Sequence, residues 1–133
     1  MSIATQKTLE LLKKRGMSPH IVERFIKAGR FGIRKDFLGI LDIIAIDPST
    51  VPYKLLGAQS TTLNQRKEHL KTILEDQAEN TKLWLSTGSK LQLICWRKLK
   101  KKNKDGGYSK IYIWEAKIDE ITLDMIKDKK NGQ

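Results

Sequence analysis

The chain has 133 residues, enough for one two-layer core and too few for two independent ones. Its 26 lysines and arginines against 15 aspartates and glutamates give a formal charge of +11, which favours a polyanionic partner through counterion release and long-range steering. Hydrophobic residues at 39% and charged residues at 31% exclude a chain disordered throughout, and a single cysteine excludes an internal disulfide.

Taken in chain order, Thr5, Thr8, Leu9, Leu12 and the stem of Lys13 recur at helical spacing before Gly16, which predicts a helix over residues 3–15. Beyond the Ser18-Pro19 breaker, residues 20–26 read as a strand, and Gly29 and Gly32 mark a loop ending at Arg34-Lys35. Residues 36–46 read as one long apolar strand, buried on both faces at Ile43, Ile44 and Ile46. Pro48 and Pro52 enforce a turn. A second central strand is predicted over 53–61, with Gly57 marking a bulge or the close approach of another backbone. Leu63, Lys67, Leu70 and Leu74 trace one side of a helix over 63–77, and a shorter helical piece over 81–85 presents Trp84 to the core and stops at Gly88.

The apolar run 91–96 returns as a strand, holding Cys95 as a buried, unreactive thiol. A basic loop follows over 97–104, then the turn Asp105-Gly106-Gly107 and a strand over 108–118. The tail 127–133 has nothing to pack and is expected to be flexible. One domain over 1–126 is expected, of the α/β (α+β) class, with a mixed sheet flanked by helices on at least one face. No apolar stretch has the length of a membrane span, and the opening MSIATQKTLE lacks the order of a secretion signal, so an intracellular, reducing compartment is expected.

Asp36 and Asp42 stand six apart, so on an unbroken strand both carboxylates point to one side. Asp42 interrupts an apolar run and should either reach a sheet edge or meet a cation, which is a metal ion or a neighbouring lysine or arginine. Asp36 follows Arg34-Lys35 at a loop boundary, where a surface ion pair is the alternative to a metal ligand. Gln59 places an amide where an apolar strand turns polar; its oxygen suits a hard cation, and a hydrogen bond at the strand end is the structural alternative.

The segment GIRKDFLGILDIIAI, followed by LLGAQSTT, a helix opening NQRKEHL and then KLWLSTGSKLQLICWRK, resembles the phage-type, Holliday-junction-resolvase-like nucleases of the PD-(D/E)XK superfamily over most of the chain. The resemblance implies a restriction-endonuclease-like αβββαβ core. It also implies an Asp at the end of the second strand and a Glu-x-Lys on the third around one or two Mg²⁺ or Mn²⁺ ions. Asp42 and Gln59 match the first two positions, whereas Thr61 stands where the motif has lysine; Lys67 or Arg66, opening the next helix, are the candidate substitutes. Glu23 matches an acidic position of the phage subgroup, with Glu10 the alternative, and each has lysines or arginines nearby in sequence as structural partners.

The activity so implied is metal-dependent phosphodiester hydrolysis of branched or duplex DNA, with Asp42, Gln59 and Glu23 or Asp36 at the metal, and a homodimer where a junction is cut symmetrically. Arg30, Arg34 and Lys35, and the run Arg97, Lys98, Lys100, Lys101, Lys102 and Lys104, are the candidate contacts to the DNA backbone, with Arg66 in reserve. Trp84, Trp96 and Trp114 sit in apolar, periodic settings and read as core rather than as platforms for bases. The competing reading is a DNA-binding protein that keeps the nuclease fold without catalysis, and Thr61 is the feature that favours it.

Overall fold

The first helix is specified by its two ends. In the computed structural model, α1 covers Ile3–Lys14. Ser2 Oγ accepts from the Thr5 amide at 3.1 Å and caps the start. Gly16, at φ 83°, closes the end, where its amide donates to the Lys13 carbonyl and that of Met17 to the Leu12 carbonyl. The structure describes residues 2–28 and 31–126, so the tail 127–133 and Arg30 lie outside the described residues, as does the side chain of Arg34.

The strand expected over 20–26 is two strands. β1 (Ser18–Ile21) ends, the Val22 amide makes one more bond to the Asp42 carbonyl, and the chain then leaves to form a separate antiparallel hairpin of β2 (Arg24–Ala28) and β3 (Phe31–Lys35). The long strand expected over 36–46 is broken as well. Leu38 at φ 56° and Gly39 at φ 72° turn the chain, the Phe37 amide bonds the Leu41 carbonyl at 2.8 Å, and only Ile43–Asp47 remains as β4. Asn80 Nδ2 donates to the Leu38 carbonyl at 3.0 Å and holds this turn from the far side of the molecule.

β5 (Lys54–Thr62) runs antiparallel to β4. A 3₁₀ turn at Leu63–Gln65 then leads into α2 (Arg66–Lys71), a π-helical turn at Thr72–Asp76 and α3 (Ala78–Ser86), so the helix expected over 63–77 changes pitch along its length. The Thr81 hydroxyl, buried in α3, bonds the Ile73 carbonyl at 2.6 Å across the irregular turn.

The sheet closes with β6 (Lys90–Lys102), parallel to β5, and β7 (Tyr108–Ile121), antiparallel to β6. Its five strands lie in the order β1-β4-β5-β6-β7. The basic segment expected as a loop over 97–104 is strand as far as Lys102. Across the pair Lys98 faces Trp114 and Lys100 faces Tyr112, so the lysines oppose aromatic rings rather than one another. Because β5 ends opposite Trp96, this part of the β6–β7 hairpin extends past the sheet.

The molecule is a mixed α/β structure whose five-stranded mixed sheet buries both faces. Strand alternation sends Ile43, Ala45, Leu56, Ala58, Ile94 and Trp96 against Ala4 and Leu12 of α1. Leu91, Leu93 and Cys95 pack the other way, with Ile73 and Trp84. Each face of the sheet has its own helices, in keeping with a mixed sheet flanked by helices on at least one face. Burial pushes the Cys95 thiol up to about 11, in keeping with an inert core cysteine. Among the described residues, no helix is long and apolar enough to cross a membrane.

Candidate metal centre

The polar cavity lies at one end of the sheet, where β4 begins and β5 finishes, between the first turn of α1 and the side of α2. Its volume is about 540 Å³, and its wall includes Glu23, Asp36, Asp42, Gln59, Thr61 and His69. The three carboxylates each place an oxygen within 4.8 Å of the others. Three separate breaks in regular structure bring them there. Glu23 sits at the crossing from β1 to β2, Asp36 follows β3, and Asp42 precedes β4 after the turn at 37–41. The convergence of Asp36 and Asp42 therefore comes from a turn that folds the segment back, not from the two-residue period of one strand.

Asp42 is only 4% exposed. Its Oδ1 accepts the Ser60 amide at 3.2 Å, and among the described residues no lysine or arginine pairs with it. Burial, and then the charge of Asp36, push its carboxyl up to about 8, against the opposing pull of the Ser60 amide. Asp36 is raised for the same first reason, burial, and next by Glu23; the bond from Gln59 acts the other way. A crowded set of carboxylates held out of water is the environment in which a doubly charged cation gains most, and an all-oxygen donor set suits magnesium or manganese.

Gln59 lies against this cluster. With the amide oriented to satisfy its neighbours, Nε2 donates to Asp36 Oδ2 at 3.1 Å and to the Ile40 carbonyl at 2.9 Å. In that orientation Gln59 positions Asp36. Thr61, at the motif's lysine position, is buried and donates from Oγ1 to Gln65 Oε1 at 2.8 Å.

Neither candidate substitute for that lysine reaches the cavity. Arg66 is held by Asp119 through two bonds, Nε to Oδ2 at 2.7 Å and Nη2 to Oδ1 at 2.8 Å, and Asp119 is lowered by the same contact. Lys67 lines a different groove with Leu70, Leu74 and Met125. Glu10, the alternative to Glu23, lies on the outer part of α1 beside Lys7, at 3.9 Å. The cavity instead holds His69 of α2, whose charge acts on Asp36. No pattern in the sequence pairs His69 with the acids, because it reaches them only by the docking of α2 on the sheet.

Of the candidate DNA contacts, Lys35, Lys98, Lys100, Lys101, Lys102 and Lys104 are exposed. Arg97 is engaged, with Nη2 at 2.7 Å from Glu115 Oε1 across the hairpin. Trp84 and Trp96 are core, their indole nitrogens donating to the Lys90 carbonyl at 2.9 Å and to Thr8 Oγ1 at 2.8 Å. Trp114 departs from that pattern: it is half-buried and lines the polar cavity. The chain matches no protein-family model, no curated protein and no solved structure.

Proposed function

We propose that the protein is a metal-dependent DNA endonuclease that hydrolyses phosphodiester bonds at the cluster of Glu23, Asp36 and Asp42. The observation that carries this reading is the convergence of three carboxylates around a buried Asp42 in an open polar cavity. The strand directions support it too. The run helix, β1, β4, β5, helices, β6, with β1, β4 and β5 antiparallel and β6 parallel to β5, agrees with the αβββαβ order of the nuclease superfamily that the sequence resembles.

Glu23, Asp36 and Asp42 would hold a Mg²⁺ or Mn²⁺ ion. Held there, such an ion would supply a more acidic water and positive charge to offset that developing on the phosphorus oxygens. The protein's own groups do the rest. Gln59 fixes the rotamer of Asp36 through its amide, and the Ser60 amide fixes Asp42. His69 is the nitrogen base in the cavity wall, placed to take the work that the motif lysine does elsewhere in the superfamily. The first turn of α1 directs the positive end of its dipole at the carboxylates.

Incubation with branched, duplex and single-stranded DNA in Mg²⁺, Mn²⁺ or chelator tests this. Cleavage that chelator abolishes is expected, and Asp42→Ala is expected to abolish it while the circular dichroism spectrum stays that of the wild type. Cleavage at an unchanged rate in the Asp42→Ala protein would remove this cavity from the chemistry. Preference for four-way junctions, with two copies of the chain on each, would narrow the reading to a resolvase.

One observation favours a second reading. No lysine or arginine is among the described residues lining the cavity, and the Thr61 hydroxyl is turned to Gln65. A noncatalytic DNA-binding protein needs nothing there, and retarded DNA without nicks under every metal condition selects it.

A further inference from the structure

The projecting hairpin and α1 enclose a groove of about 870 Å³ whose chemistry differs from that of the acidic cavity. Lys7, Lys13 and Lys14 stand on its helix side, with Glu10 the one acid among them, and Tyr112, Ile113 and Trp114 form its sheet side. Tyr112 is 49% exposed. Lys98 Nζ rests 4.5 Å from the centroid of the Tyr112 ring and 5.9 Å from that of Trp114, and Lys100 Nζ lies 5.9 Å from that of Tyr112. Trp114 lines both this groove and the acidic cavity, so the two adjoin at that residue.

We propose that this groove binds an unpaired nucleic-acid strand, stacking bases on Tyr112 and Trp114 and holding phosphates with the lysines of α1 and β6, and leads that strand to the acidic cavity. The inference rests on the nucleic-acid part of the function proposed above, and not on the metal or the hydrolysis.

Two features choose an unpaired strand over a duplex. Aromatic rings serve a strand whose base faces are open, whereas in a duplex those faces are stacked inside and only phosphates and groove edges meet the protein. The rings are also paired with displaceable cations. A lysine over an exposed ring is held weakly, so a phosphate draws the ammonium aside and leaves the ring face to a base. Charge complementarity selects a polyanion over an apolar partner: five lysines surround the rings, against Glu10 alone.

The test is fluorescence anisotropy with a labelled oligothymidine and with a duplex of equal length, in chelator, so that no cleavage intervenes. The wild type is expected to hold the single strand, with quenching of its tryptophan emission. Tyr112→Ala is expected to weaken the single strand about tenfold and the duplex less than about threefold. Tyr112→Phe restores single-strand binding, because the ring and not the hydroxyl does the stacking. Equal losses on both probes, or tight single-strand binding by Tyr112→Ala with its thermal transition intact, would overturn the proposal. The outcome is separable from the nuclease reading, because the binding comparison is made in chelator and stands whichever way the cleavage assay falls.

Discussion

Asp42 and Asp47 flank the same short strand, both are buried, and their surroundings drive them in opposite directions. Asp42, buried beside other carboxylates, is pushed up to about 8. Asp47 accepts the Ser49 amide at 3.0 Å and Lys90 Nζ at 3.0 Å; these donors, the Ser49 amide foremost, hold its carboxyl down at about 2. A carboxyl lowered in the folded state stabilises the fold above its unfolded value of 3.8, and that contribution is lost as pH falls from 3.8 through about 2. Thermal melts across this window are expected to fall steeply for the wild type and more shallowly for Asp47→Asn, which at neutral pH is less stable by ~2 kcal/mol. Parallel acid limbs for the two proteins would show that the donors around Asp47 contribute nothing. At the same scale, Gln59 exemplifies a polar residue whose position in the strand is legible and whose role is not. Which end of its amide faces Asp36 depends on the Ile40 carbonyl, brought alongside by a turn remote from β5 in sequence.

Among the elements, β5 carries a close packing constraint at its glycine. A Cβ added at Gly57 meets Leu41 Cδ2 at 2.6 Å and the Trp84 ring at 3.0 Å. The glycine expected to admit another backbone thus admits two side chains, one from the 37–41 turn and one from α3. Gly57→Ala is expected to destabilise by about 1–3 kcal/mol through overpacking. Chemical denaturation should give a lower midpoint at an unchanged slope, and an unchanged midpoint would mean that Leu41 and Trp84 yield freely. The β6–β7 hairpin is the other decisive element: its outer part has strand partners on one side only, which leaves Tyr112 and the lysines beside it open to a ligand.

At the scale of the whole molecule, charge is sorted by position. Three carboxylates gather in one cavity, while the lysines of α1 and the outer hairpin cover adjoining surface. The acidic cavity repels a phosphodiester and the basic surface attracts one. If about five phosphates are neutralised, the logarithm of duplex affinity falls against the logarithm of salt with a slope of about −4 to −5. Replacing Lys101 and Lys102 with alanine is expected to reduce that slope by about two; a salt-independent affinity would refute the electrostatic account.

From the sequence by itself came the ends of α1, the identity of β4 and β5 as central strands, the fold class, and the pair Asp42 and Gln59 as polar interruptions of apolar strands. These are local signals: a glycine cap, β-branched runs, and a charge where burial is costly. The break in the 36–46 segment was not legible, since its apolar composition suits a strand and only Leu38 and Gly39, both at positive φ, reveal the turn. Nor was the strand character of residues 97–102, where pairing with β7 overrides a charge run that reads as loop. The tertiary structure alone decided the rest of the site. Asp36 and Glu23 were already candidates beside Asp42, whereas His69 and Trp114 reach the same cavity through contacts between segments far apart in the chain, which no short-range pattern of residues encodes.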